Sequence, residues 1–211
     1  MSACCARHGQ EELFTGKAAR RAAKRYRDKG PDPMARSIAR RAANRGVEDM
    51  TVLEIGGGIG EVLLELLKAG AAKGEVVELV PAYEPEARAL AAEAGVADRS
   101  AFRTADLVED PDAAEPADLV VLNKVVCCTP DGIALAGIAA GLARRTLVLS
   151  HPREPRLGLG TVNLFFRLRR RRFRVFVHPR AALEAAVAAH GFALASEKDG
   201  PLFRIAAFER P

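Results

Sequence analysis

The 211 residues carry 32 Lys and Arg against 27 Asp and Glu, giving a net charge of +5 and a pI near 9.3. An apolar share of 49% is too high for a disordered chain and is enough for one α/β domain with some decoration. No apolar run reaches the length of a membrane span and no apolar signal region opens the sequence, so a cytoplasmic protein is expected.

The elements follow in chain order. Residues 1–10 read as a tail. From residue 11 to 29, Phe14, Ala18, Ala22 and Tyr26 recur every four residues among Arg20, Arg21, Lys24, Arg25 and Arg27. That spacing predicts an amphipathic helix with a narrow apolar stripe, stopped by Gly30 and Pro31. Asp32 as N-cap with Pro33 behind it predicts a second helix to about Arg45, ended by Gly46. Val52, Leu53 and Ile55 form the short apolar run of a buried parallel strand. Val62, Leu63, Leu66 and Leu67 then recur at helical spacing, and Gly70 sits where a C-cap glycine belongs. Between strand and helix lie Gly56, Gly57, Gly58 and Gly60, where a ligand can touch bare backbone and meet the first helical amides. The dinucleotide pattern G-x-G-x-x-G would need a glycine where Glu61 stands.

Further strands are predicted at 75–79, 100–104, 117–124 (continuing to Cys128) and 146–150, with helices at 81–95 and 130–142 between them. His151 and Pro152 follow the fifth strand directly. Residues 153–178 interrupt the alternation. Leu157, Val162, Leu164, Phe165 and Leu168 form an apolar stripe with a basic end at Arg167 and Arg169 to Arg172, and 173–177 alternates like a strand. A helix at 179–190 and two strands, 192–196 and 202–208, joined by a Lys198-Asp-Gly-Pro201 turn, close the chain as an antiparallel hairpin.

Glu54, Gly56, Gly58 and Gly60, in the pattern acid-x-Gly-x-Gly-x-Gly, resemble motif I of the class I S-adenosylmethionine (SAM)-dependent methyltransferases. Val77 to Pro81 are similar to that family's acid-bearing end of strand two, and the final hairpin is similar to its antiparallel ending. The resemblance covers about residues 47–211 outside the insert. It implies an α/β, Rossmann-like seven-stranded sheet, mostly parallel with an antiparallel C-terminal hairpin. A helical lid at 1–46 would precede a SAM-binding domain at 47–211, which carries a lid insert at 153–178. The position of the insert resembles the layout of magnesium-protoporphyrin O-methyltransferases. The resemblance further implies that Glu54, Gly56, Gly57, Gly58 and Gly60 cradle the cofactor and that Glu78 and Leu79 hold its ribose. Ala105, Asp106 and Leu107 would meet the adenine, with Asp106 otherwise capping its own turn, and Asn123 would lie beside the sulfonium. The Asn/Asp-Pro-Pro-aromatic signature of exocyclic-amine methylation is absent, because Lys124 and Val125 occupy its place.

A sulfonium methyl is already activated, so positioning and exclusion of water carry the chemistry, and a base is needed only for a protonated acceptor. His151 is the first base candidate, with its alternative a histidine bonded only within the turn. His178 and Tyr26 follow, and Tyr26 could instead close over the methionine part of SAM. Two acceptor classes are open: a small, partly apolar molecule held under the two lids, and RNA tracked by the basic flanks. Residues 1–46 hold 12 basic and 4 acidic groups, 47–150 hold 8 and 18, and 151–211 hold 12 and 5. The low aromatic content, 5%, favours the small molecule, since base stacking needs rings. The arginine run reads alternatively as a solvated helix end or a membrane-surface contact. A SAM-binding protein without turnover is a third reading. The cysteines form two vicinal pairs, Cys4-Cys5 and Cys127-Cys128, without C-x-x-C or zinc-finger spacing. Reduced thiols are expected and no metal, with a soft-metal or arsenic site built from both pairs as the alternative.

Overall fold

The computed structural model describes residues 9–153 and 157–211, so the Cys4-Cys5 pair lies outside the described residues. Seven strands form one sheet in the order β3-β2-β1-β4-β5-β7-β6. They are β1 (Thr51–Ile55), β2 (Lys73–Glu78), β3 (Ser100–Thr104), β4 (Ala117–Leu122), β5 (Ala143–Pro152), β6 (Ala193–Asp199) and β7 (Phe203–Glu209). The first five run parallel, and β7 lies antiparallel between β5 and β6. The Rossmann-like sheet with an antiparallel ending is therefore as the resemblance implies.

From Leu119 to Leu122, β4 reads as an unbroken apolar run because both faces of the sheet are covered. Successive side chains alternate between the two layers. Val52, Val76, Leu119, Val121 and Val148 pack under α2 (Gly16–Lys29), α3 (Pro33–Ala43), α4 (Glu61–Lys68) and α5 (Glu84–Glu93). Leu53, Ile55, Val77, Val120, Leu122, Leu147 and Leu149 pack under α6 (Gly132–Leu142) and α8 (Arg180–Ala188). Among the described residues no helix is long and apolar enough to cross a membrane.

The structure corrects five local expectations. The first predicted helix is two, α1 (Gln10–Leu13) and α2, because Thr15 turns the chain and its side chain accepts from the Ala18 amide. The buried stripe of α2 is Ala19, Ala23 and Tyr26, with Ala18 and Ala22 only half-buried. β4 stops at Leu122, since Lys124 takes a left-handed φ of 62° and residues 126–128 form a helical turn. Residues 173–177 are not a strand. They follow α7 (Leu157–Leu168) as an extended segment whose Val175 pairs both ways with the Asn163 side chain and whose Phe176 amide donates to the Cys127 carbonyl. Conversely, β5 runs through His151 and Pro152, both paired with β7.

Candidate active site

The order of strands reverses about β1, which pairs with β2 on one side and β4 on the other. In an open α/β sheet, the crevice beyond the C-terminal ends of such strands is where ligands bind. A cleft of about 320 Å³ lies there.

Its floor is the glycine loop. The Gly56 amide donates to the Val77 carbonyl at 2.7 Å and so extends the β1–β2 pairing by one residue. Gly57 lies against the Glu54 side chain, and a Cβ added there would fall 2.8 Å from Glu54 Cγ and Cδ. Gly58, at a φ of 57°, lets Tyr83 close over the loop. Gly60 caps α4 in the left-handed conformation and faces Val76 rather than the cleft. Of the predicted cradle, Glu54, Gly56, Gly57 and Gly58 therefore line the cleft, and Gly60 shapes the turn behind it.

Glu54 is buried and accepts the Leu63 amide at 2.8 Å, which ties the loop to the first turn of α4. Burial pushes its carboxyl up to about 8, against the lowering effect of the Leu63 and Val62 amides and with help from the Glu61 and Glu78 charges. Glu78, at the tip of β2, accepts from Gly58 N at 2.9 Å through Oε2 and from Val80 N at 3.0 Å through Oε1. Its carboxyl is raised above the ordinary range by burial, which outweighs the amides of Val80, Gly58 and Leu79. Each oxygen retains acceptor capacity beyond its one amide. Leu79, Ala105, Asp106 and Leu107 line the same wall, with Asp106 Oδ1 accepting the Val108 amide at 3.0 Å. Asn123 lines the cleft from the end of β4, its Oδ1 taking the Ser150 hydroxyl at 3.3 Å.

The proposed bases are placed elsewhere. Tyr26 lies on the buried face of α2, donating to Glu65 at 2.6 Å and accepting from Lys68 at 2.8 Å, and burial followed by Glu65 raises its hydroxyl to about 12. His151 is buried with Nδ1 3.0 Å from its neighbour's carbonyl, Pro152 O. Burial lowers its pKa, as do Arg204 and Arg180 nearby, although the Pro152 bond opposes this. His178 packs over Gly132, its Nε2 2.9 Å from Val126 O and 3.0 Å from Thr129 O. None of the three lines the cleft. His178 instead braces the turn that carries Cys128 and Thr129, which do.

The structure adds residues that sequence reasoning missed. Lys124 reaches across to Asp32 at 2.7 Å, while its amide donates to Ser150 Oγ at 2.8 Å. Burial raises the Asp32 carboxyl, but the Lys124 ammonium and the Ala35 and Met34 amides outweigh this and hold it below its usual value. The Asp32 amide donates to Glu61, which also pairs with Arg25, so the α2–α3 connection is latched to both sides of the cleft. Gln10 donates to Cys128 O at 3.1 Å. Phe14 lines the cleft and meets Phe173 edge-on at 5.6 Å, and Arg172 pairs with Glu11 and Glu12. The N-terminal segment, which lines the cleft through Gln10 and Phe14, thus packs against the insert. Cys127 and Cys128 are free, their sulfurs 4.0 Å apart, each donating to the Lys124 carbonyl. The Cys128 thiol is pushed up by its neighbour and by burial.

This cleft suits SAM. The carboxyl groups of Glu78, Asp106 and Glu109 line it, matching a cationic ligand whose hydroxyls and amine are donors. A glycine-floored, acid-lined crevice at the switch point of a sheet with an antiparallel ending defines a class I SAM-dependent methyltransferase. A family model described as a methyltransferase domain matches residues 24–197, and the chain belongs to that family. No curated protein matches it. Magnesium protoporphyrin IX methyltransferase from Synechocystis PCC 6803 with bound SAH shares the fold at a TM-score of 0.75, with 21% identity over 96% of this chain and 98% of that one. The same protein with bound SAM gives 0.71, with 20% identity over 96% and 95%. An O-methyltransferase family protein from Burkholderia thailandensis gives 0.70, with 20% identity over 96% of this chain and 63% of that one.

Proposed function

We propose that this methyltransferase acts on a small acceptor held between the two lids, methylating a carboxylate oxygen or an amine nitrogen. The observation that carries the reading is the contact between the lids. Phe14, which lines the cleft of about 320 Å³, packs edge-on against Phe173, and Arg172 pairs with Glu11 and Glu12 beside it. A cleft of that size suits small ligands. Bound SAM supplies an activated methyl group. In this reading the Glu78 carboxylate orients the ribose hydroxyls, Asp106 receives the adenine amine, and Asn123 faces the sulfonium side. Phe14, Tyr83 and Val125 give apolar walls that keep water out. With the His151 and His178 imidazoles outside the cleft, an acceptor whose lone pair is already free needs no base. The free thiols of Cys127 and Cys128 agree with a reducing, cytoplasmic setting.

Calorimetry with S-adenosylhomocysteine, SAM and NAD tests the cofactor, and label transfer from methyl-labelled SAM into the small-molecule and RNA fractions of a cell extract tests the acceptor. Binding of both sulfur nucleosides but not NAD, with label in small molecules, is expected. Binding of neither nucleoside, or label confined to RNA, would overturn the reading.

A further inference from the structure

The outer face of α7 is not explained by the cleft. Only two of its described side chains turn inward: Asn163, bonded to Val175 at 2.8 Å, and Phe166, edge-on to Phe173 at 5.5 Å. They are three residues apart and so share one face. Leu164, Phe165 and Leu168 fall on the opposite face, 53%, 51% and 76% exposed. By the same helical spacing, Arg167 and Arg169 border that face on either side. The Arg169 guanidinium lies 4.9 Å over the Phe165 ring, its stem along the apolar surface. Among the described residues no carboxylate pairs with Arg167, Arg169 or Arg170. A merely solvated helix end would not turn Leu164, Phe165 and Leu168 outward at the centre of its exposed face, with arginines only at the rim.

The geometry points to an anionic lipid surface as the partner of this face. Leu164, Phe165 and Leu168 enter the headgroup–acyl boundary, while Arg167, Arg169 and Arg170 meet lipid phosphates at its rim. Charge selects the partner. An RNA backbone would use the arginines but has nothing to offer two leucines at the centre of the patch. A second copy would bring three more unpaired arginine side chains of like sign against the first set. Phe166 and Phe173 connect the inner side of the helix to Phe14 at the cleft, so docking sets the cleft mouth toward the bilayer. The inference concerns the surface and does not depend on which acceptor is methylated.

The test is flotation of the full chain with phosphatidylcholine vesicles, with and without phosphatidylglycerol. Wild type is expected to float with the anionic vesicles and to detach partly as salt rises. Leu164→Ser with Leu168→Ser should weaken flotation about tenfold or more. Each of Arg167→Ser and Arg170→Ser should weaken it about fivefold on anionic vesicles. Unchanged affinity for S-adenosylhomocysteine shows that the variants are folded. No flotation of wild type at low salt overturns the proposal, as does flotation indifferent to the two leucines. Sedimentation showing a dimer that the leucine changes dissociate, without vesicle binding, assigns the face to a second copy instead. RNA retention lost with the arginines but not the leucines, again without vesicle binding, assigns it to nucleic acid.

Discussion

Gly57→Ala is a severe test of the cradle because its effect can be traced to one neighbour. The backbone there is ordinary, so the glycine is required by space alone. A Cβ would sit 2.8 Å from Glu54 Cγ and Cδ and 3.1 Å from Oε2. Glu54 cannot step aside: it is 2% exposed and held by the Leu63 amide at 2.8 Å. Overpacking of this kind costs about 1–3 kcal/mol. For a chain of this size each kcal/mol lowers Tm by about 2–4 °C. The loop and the first turn of α4 must shift together, so affinity for S-adenosylhomocysteine should fall as well. Glu54→Asp shortens the carboxylate arm by one methylene and makes room. Combined with Gly57→Ala it should cost less than the two changes summed, with a coupling of about 1 kcal/mol or more. Thermal unfolding and calorimetry on the four proteins of this cycle read both quantities. If Gly57→Ala alone is neutral, or if the two costs simply add, the assignment of Gly57 to the Glu54 contact is wrong.

Three further outcomes are expected. Glu78→Gln removes the charge that would receive the ribose hydroxyls, and S-adenosylhomocysteine should bind about 10- to 100-fold more weakly; undiminished affinity in calorimetry would remove Glu78 from the cofactor site. His151→Gln should leave kcat within about twofold, whereas removing a working general base costs about 10²–10⁴; a loss of the larger size in a methyl-transfer assay would return the imidazole to the chemistry. Glu54 makes stability depend on pH. Its folded pKa, about 8, exceeds the ordinary 4.5, so the folded state binds the extra proton. Its contribution is present in full below 4.5 and is lost as pH rises toward about 8, by at most ~1.4 kcal/mol per unit. Denaturant titrations across that window should show a shallower decline for Glu54→Gln than for wild type, and parallel curves would contradict a buried, protonated Glu54.

The parts of the fold that could be read in the sequence are those set by local periodicity. β1, the glycine turn and α4 follow from apolar spacing and backbone freedom, and Asp32 caps α3 as its type and position indicate. The misreadings share a cause, which is that direction and partner are tertiary properties. The 173–177 segment alternates as a strand should, but no sheet edge reaches it: β7 already lies between β5 and β6, and its amides are taken by Asn163 and Cys127. His151 does lie at the C-terminal end of β5, but the pleat decides which face a side chain meets, and a shift of one residue reverses it. Lys124 carries no mark of its left-handed backbone, so neither the early end of β4 nor the bond to Asp32 could be foreseen. The pairing of α1 with Arg172 joins residues about 160 apart, beyond the reach of any local pattern.

The closing hairpin also affects how the protein behaves in concentrated solution. An open sheet has two outer strands whose unpaired amides and carbonyls invite another chain. Here the last to be added is β6, whose outer run includes Glu197, Lys198 and Asp199, with Arg204 and Arg180 bound to those acids. β3, at the other end, is five residues long and presents Arg103 paired to Glu75. Short length on one side and fixed charge on the other leave no flat apolar strand for recruitment. Substituting Glu197 and Asp199 with β-branched apolar residues would therefore be felt first as lost solubility, before any change in the distant cleft.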